Sequence, residues 1–333
     1  MDSMHRRANF PSNLEIPLDA PSGIPTDEKS LAEDVEAFGI AAKTWDASFE
    51  LLDYLIPAER PDSAQEISVP EGSRPVSLYQ PPSPLLQLLA SPNPRIIDLG
   101  SGTCHLPIGL ARRLAQMHPN HPFKVIVSDL PEVLPLLQRN ISSASTHHIS
   151  ARALAWGDIQ QTINLLNSPH QSITDLLITC SDLVFFPFLF VPLLRSLLIL
   201  TSPQLLPPSC ATPVVLFGYK ERTAVKEFPF FSLLGRYFKL EPILSRSKPT
   251  EPWELTRRDR TSQDEGSKIY LLRATRHHST LTDSNLLHSI ILNDAWVNDE
   301  EGEAPLLALG EHSACDQWEW ILLSNLSNHQ LFS

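Results

Sequence analysis

Only four of the 333 residues are cysteine, at positions 104, 180, 210 and 315, and no two of them form a C-x-x-C pair. That excludes a cysteine-built zinc site and a disulfide framework, and it reads as free thiols in a reducing compartment. An apolar run of the roughly 18 residues that a membrane span needs is also missing. The nearest approach, LLITCSDLVFFPFLFVPLLRSLLIL, is interrupted by Ser181, Asp182 and Arg195 and broken by prolines, so it reads as a buried strand followed by a core helix. His5, Arg6 and Arg7 lead into no apolar stretch, and no secretory leader is expected. Basic residues are in deficit, 26 Lys and Arg against 38 Asp and Glu, for a formal net charge of −12. A nucleic-acid binder would carry a basic footprint, and this chain does not. An acidic balance suits solubility and would steer a basic protein or peptide partner.

The most informative stretch present is RIIDLGSGTCHLP, from Arg95 to Pro107. A short apolar strand reaches Asp98, two glycines follow in a tight turn, and an apolar helical pattern begins (Ile108, Leu110, Ala111, Leu114). This is the layout of a nucleotide-type cofactor loop, in which glycine lets the backbone turn sharply and approach a ligand. The next strand, FKVIVSD, ends in Asp129, placed to accept hydrogen bonds from ribose hydroxyls. The third glycine of the dinucleotide pattern G-x-G-x-x-G is missing, since Cys104, His105 and Leu106 follow the turn instead, and Asp98 would repel phosphate. A cofactor with an ammonium, a sulfonium and a ribose but no phosphate fits better. That points to S-adenosylmethionine and a methyltransferase rather than a dehydrogenase.

Along the chain, residues 1–30 are rich in proline and polar side chains and are expected to be poorly ordered. Residues 31–330 are expected to form one domain with a helical extension at Leu31–Ile56, broken at Gly39, and a short helix at SPLLQLLA. Strands are expected at 95–99, 123–128, 150–156, 174–181, 213–219 and 238–244, and helices near 105–117, 131–141, 188–200 and 224–237. Such alternation predicts an α/β fold: a doubly wound, seven-stranded, mostly parallel sheet with helices on both faces. Segments 246–267 and 275–317 read as insertions, the second with a helix at 283–292. Either 268–274 or 318–326 supplies the last strand; the first is favoured as the partner of 238–244.

With these pieces placed, the chain resembles the lysine-methyltransferase-like family (methyltransferase family 16) of seven-strand S-adenosylmethionine-dependent enzymes. The resemblance spans about residues 38–240. It rests on Gly39 to Ala47 (G-x-x-x-x-x-W-D-A), DLGSGTC, SDLPEVLPLLQRNI, ALAWGD, SDLVF and LFGYKERTAVKEFPFF. Three positions depart from it: Cys104 replaces the third glycine, Ala155 an acidic residue, and Phe185 a common tyrosine. Cys104 is compatible with the loop if its φ is ordinary.

The resemblance implies a cytoplasmic protein-lysine N-methyltransferase that acts as a monomer on a protein substrate such as a translation elongation factor, with no nucleic acid, membrane or metal involved. It implies Trp45 and Trp156 as walls of the adenine and ribose site, Gly100, Ser101 and Gly102 beneath the cofactor's amino-acid end, Asp129 at the ribose and Ser181 near the sulfonium. Asp182 and Phe185 would border the transferred methyl, the carboxylate orienting an ammonium and the ring holding a cation. Read without the family, Asp182 is a helix N-cap after the strand and Phe185 a core residue. Lys220, Glu221 and Arg222, at the rim after strand five, either meet the protein substrate or form a solvated turn. The paired histidines 147–148 and 277–278 lack metal-ligand spacing. A small-molecule N-methyltransferase and a cofactor-binding scaffold with little catalysis remain alternatives.

Overall fold

The computed structural model describes residues 28–56, 78–144, 146–167, 172–246, 248, 250–258 and 268–292. The strand run 318–326 and residues 1–27 lie outside these.

Three apolar strands adjacent in the sheet form its centre. They are β2 (Pro94–Leu99), β3 (Lys124–Asp129) and β5 (Asp175–Ser181), preceded in the chain by the two-residue β1 (Tyr79–Gln80) and with β4 (Ile149–Ala153) between β3 and β5. All six residues of β2 are buried. Strands covered on both faces by helices read as continuous apolar runs rather than alternating ones, and the segments IIDL, VIV and LLITC do so. Beyond β5 lie β6 (Val214–Lys220), β7 (Phe238–Pro242), the short β8 (Leu244–Ser245) and β9 (Thr256–Arg258), and the long β10 (Lys268–Arg276). The sheet order is β4-β3-β2-β5-β6-β10-β7, with β9 paired to β10. The first five strands are parallel. β10 runs antiparallel to both β6 and β7 between them. This is the expected doubly wound, mostly parallel seven-strand sheet, and among the described residues 268–276 supplies the strand that pairs with 238–242, as favoured.

Helices cover both faces. On one lie α1 (Glu28–Phe38), α2 (Ala47–Leu55), α3 (Leu85–Leu89), α4 (His105–Met117) and α5 (Leu134–Ala144); α2, α4 and α5 share a core with Ile96, Val125 and Leu216. On the other lie α6 (Ile159–Leu166), α7 (Phe190–Leu200) and α8 (Ala224–Leu234), packed on Ile97, Ile178 and Phe217. The chain ends its described part in α9 (His278–Thr282) and α10 (Ser284–Leu292).

All eleven residues of α7 are buried. This explains the apolar run in the sequence: it is a core strand and a core helix, and among the described residues no helix is long and apolar enough to cross a membrane. Arg195 is tolerated inside that helix because its guanidinium donates to the carbonyls of Ile290 (3.0 Å) and Ile291 (3.3 Å) in α10.

Three expectations are corrected. The strand placed at 150–156 ends at Ala153, which frees Leu154–Gly157 to turn over the carboxyl end of the sheet. Helix α6 was not anticipated; Asp158 caps it, its carboxylate accepting from the Gln161 N–H at 2.9 Å. The segment 246–267 is not purely a loop, since β9 pairs with β10 within it.

Candidate functional site

The strand order reverses between β2 and β5, where the chain winds outward to β4 and then returns. Ligands of open α/β sheets bind above the carboxyl ends of the strands at such a switch point. A cleft of about 830 Å³, mouth included, opens there. Its lining includes all nine residues named from the sequence: Trp45, Gly100, Ser101, Gly102, Asp129, Trp156, Ser181, Asp182 and Phe185.

The floor is the turn from β2 to α4. Gly100 and Gly102 have φ of 57° and 48°. A Cβ on Gly100 would lie 2.7 Å from Leu183 and 3.0 Å from Trp156; one on Gly102 would lie 2.8 Å from the Ala41 carbonyl oxygen. Cys104 also adopts a left-handed φ of 61°, so its accommodation is not through an ordinary backbone angle. An L-residue pays about 1–2 kcal/mol for that conformation. Burial holds its thiol well above the usual range, which makes it an inert packing group rather than a nucleophile.

Two buried carboxylates face the cleft. Asp98 accepts a 2.5 Å hydrogen bond from the Thr179 hydroxyl. Asp129 accepts from the N–H groups of Gly102 and Leu130, both at 2.8 Å, and so staples the glycine turn to β3. Burial pushes Asp98 up to about 6, against the pull of Thr179 and Ser101 and with repulsion from Asp129. Burial likewise pushes Asp129 up to about 6, its two backbone donors pulling the other way.

Two polar atoms in the wall, Ser181 Oγ and His105 Nε2, are buried without a hydrogen-bond partner among the described residues. His105, the first residue of α4, packs its ring at a tilt against Phe49 with centroids 4.1 Å apart, and burial lowers it to about 4, so it is neutral. Sequence reasoning gave His105 no ligand role; the signal available was its place directly after the glycine turn. Buried polar groups are ordinarily satisfied, and a ligand's polar atoms would satisfy these. Together with the glycine cradle and the anionic floor, the cleft fits a compact cation bearing hydroxyls, and it fits S-adenosylmethionine.

At the other end stand Asp182 and Phe185. Asp182 is buried, with a φ of 60°, just past the end of β5. It caps no helix: α7 has Leu189 at its N-cap, and the 3₁₀ turn Pro187–Leu189 before it has Phe186. Its carboxylate instead takes two hydrogen bonds from Arg222, at 2.5 and 2.9 Å. Phe185 is half-buried, edge-on to Phe186 with centroids 4.8 Å apart. Trp156 lies by the glycine turn, whereas Trp45 lies on the Asp182 side, with Arg222 over its ring at 5.3 Å and Lys43 at 5.5 Å. Lys220 pairs with Asp46 at 2.7 Å. The segment Lys220–Arg222 is thus tied into the site by its ion pairs, and the charges along that rim are paired. No group of side chains suited to a metal occurs among the described residues.

Comparison with known proteins bears on this geometry. A family model described as lysine methyltransferase matches residues 25–237. The protein-lysine N-methyltransferase EFM6 of Saccharomyces cerevisiae is 31% identical over 158 residues, 46% of this chain and 60% of that protein, so the match spans under two thirds of the relative's length. Among solved structures, an O-methyltransferase from Bacillus cereus is 16% identical over 73% of this chain and 97% of its own, with a TM-score of 0.35. A SAM-dependent methyltransferase from Anabaena variabilis is 16% identical over 55% and 77%, with a TM-score of 0.32. These structural alignments are loose, and the fold is read from the strand order itself. By the family match over most of its length, the chain belongs to the S-adenosylmethionine-dependent lysine methyltransferase family.

Proposed function

We propose that this chain methylates a lysine ε-amine of a protein substrate in the cytoplasm, with the acceptor entering between Asp182 and Phe185. The observation that carries this reading is one continuous cleft. It runs from the anionic, glycine-turned floor at Asp98, Gly100–Gly102 and Asp129 to a carboxylate and an aromatic face at Asp182 and Phe185. A translation elongation factor is the substrate class to try first.

When bound, S-adenosylmethionine supplies an activated methyl on a sulfonium. The protein's own part is positioning and exclusion of water. Asp98 and the glycine turn would hold the amino-acid end, Asp129 the ribose hydroxyls and Trp156 the apolar rings. Ser181 Oγ, without a hydrogen-bond partner among the described residues, would meet the donor's charged region. Asp182 would receive an ammonium and orient its nitrogen, and Phe185 would shield that nitrogen from solvent while tolerating its charge. Trp45 would wall the acceptor side of the cleft. An amine attacks only after losing its proton, and a fixed carboxylate beside it is suited to aid that loss.

The test is incubation of the purified chain with radiolabelled S-adenosylmethionine and lysate. One labelled protein band, with methyl-lysine on hydrolysis, is the expected result; label confined to small molecules would overturn the reading. Asp182→Asn keeps the shape but removes the charge, and should cut turnover by about two to four orders of magnitude. S-adenosylhomocysteine affinity should stay within a few-fold of wild type. Turnover close to wild type would put Asp182 outside the chemistry.

A further inference from the structure

We propose that Arg222 is the positioning residue of the acceptor end, fixing the Asp182 carboxylate by a two-point hold while bracing the ring of Trp45. The inference rests on the acceptor reading of Asp182 given above.

Arg222 joins three segments distant in sequence: the loop before α2, the end of β5 and the end of β6. Its two terminal nitrogens meet the two carboxylate oxygens of Asp182 at 2.9 and 2.5 Å, and its guanidinium carbon lies 5.3 Å from the centre of the Trp45 ring. The Asp182 side chain is 0% exposed and that of Arg222 30% exposed, so the carboxylate is held out of bulk water by a guanidinium that still reaches it. A planar fork of donors fixes both the place and the plane of a carboxylate, which a lysine's single ammonium cannot do.

Arg222 is itself held. Nη1 also donates to the Lys220 carbonyl at 3.1 Å. Its backbone N–H, that of Thr223 and the Tyr219 hydroxyl all donate to Glu227, at 3.1, 3.2 and 2.5 Å. Glu227 is buried in the first turn of α8. The other charges nearby are Lys43 over Trp45, the Lys220–Asp46 pair and Glu221, which accepts from Tyr270.

This arrangement has a chemical use. An isolated buried carboxylate would grip an ammonium as a tight ion pair, the protonated and unreactive form of the acceptor. A carboxylate already neutralised by a guanidinium presents an oriented lone pair with little net field. It guides the amine without trapping it.

The experiment compares wild type, Arg222→Ala and Arg222→Lys in the full chain. Turnover is measured on the labelled protein substrate and S-adenosylhomocysteine affinity by calorimetry. Displacement of a reacting group by about 1 Å can cost roughly 100-fold. Turnover in Arg222→Ala should therefore fall by about that factor, with the S-adenosylhomocysteine dissociation constant within twofold of wild type. Millimolar guanidinium should restore part of the loss in Arg222→Ala and none in Arg222→Lys. Wild-type turnover in Arg222→Ala, or a parallel loss of S-adenosylhomocysteine binding without guanidinium rescue, overturns the proposal. Should the alanine variant not fold, Arg222→Lys decides: turnover equal to wild type overturns the two-point hold, and an intermediate value supports it. If wild type labels no protein, the acceptor reading has failed on its own. The brace is then read by melting temperature, where a guanidinium-dependent rise in Arg222→Ala that wild type lacks supports it and no rise overturns it.

Discussion

Cys104 is where residue type and backbone geometry disagree. It occupies a left-handed position that favours glycine, yet its side chain is fully buried and packs in the core of the α4 face. Sulfur burial and backbone strain therefore oppose each other at one residue. At an ordinary φ, glycine is less stable than alanine by roughly 0.5–1 kcal/mol. Here the order should invert. Cys104→Ala loses the sulfur and keeps the strain, whereas Cys104→Gly loses both, so the glycine variant should be the more stable by about 1 kcal/mol. Urea denaturation of the two variants checks this, and an alanine variant at least as stable as the glycine one would show the strain to be negligible.

The elements that build the cleft depend on close approach between the glycine turn and the segment before α2. The Thr44 and Thr103 hydroxyls meet at 2.8 Å, and the Trp45 indole N–H donates to the Ile40 carbonyl at 3.1 Å, folding that segment across the turn. Gly102→Ala would drive a Cβ into the Ala41 carbonyl, a backbone atom that cannot swing aside. We expect this variant to lose S-adenosylhomocysteine binding by at least tenfold and to melt several degrees lower. An unchanged dissociation constant would mean the segment is free to move away.

Much of this was legible in the sequence because it is local. The strand–turn–helix at 95–117 and the acid at the tip of β3 are read from neighbours in the chain. What was missed lies elsewhere. Helix α6 is eight residues long, with its start marked by Asp158, too short for its periodicity to stand out. The partner of Asp182 is 40 residues away in a turn that reads as ordinary solvated charge, and only sheet order brings the two together. Trp45 and Trp156 looked equivalent, and only the fold sets Arg222 over the Trp45 ring and Trp156 beside Gly100.

At the scale of the whole molecule, the fold buries two carboxylates under a cleft and so couples its stability to pH. Asp98 and Asp129 sit near 6 in the folded chain against 3.8 for an unperturbed aspartate, so between about pH 4 and pH 6 the folded state binds more protons. The contribution of this pair to stability therefore falls as pH rises through that window and stays at its lower level above it. A ligand carrying an ammonium prefers the ionised pair, so its binding has the opposite slope. The rise in melting temperature given by saturating S-adenosylhomocysteine should be small at pH 5 and clearly larger at pH 7.5. Equal shifts at the two pH values would mean that the ammonium does not face these acids.

The antiparallel strand β10 sits inside the sheet although it comes last among the described strands, and the stretch matching the family ends at residue 237, before β7 and β10 are reached. During synthesis, β6 must wait more than forty residues for the neighbour that covers its open edge. An uncovered strand edge is a template for pairing with other chains. A fragment trimmed to the family-matched region would carry most of the cleft and still be prone to aggregate. The family-matched stretch, residues 25–237, would thus be an aggregation hazard until the later sequence that supplies β10 has been made.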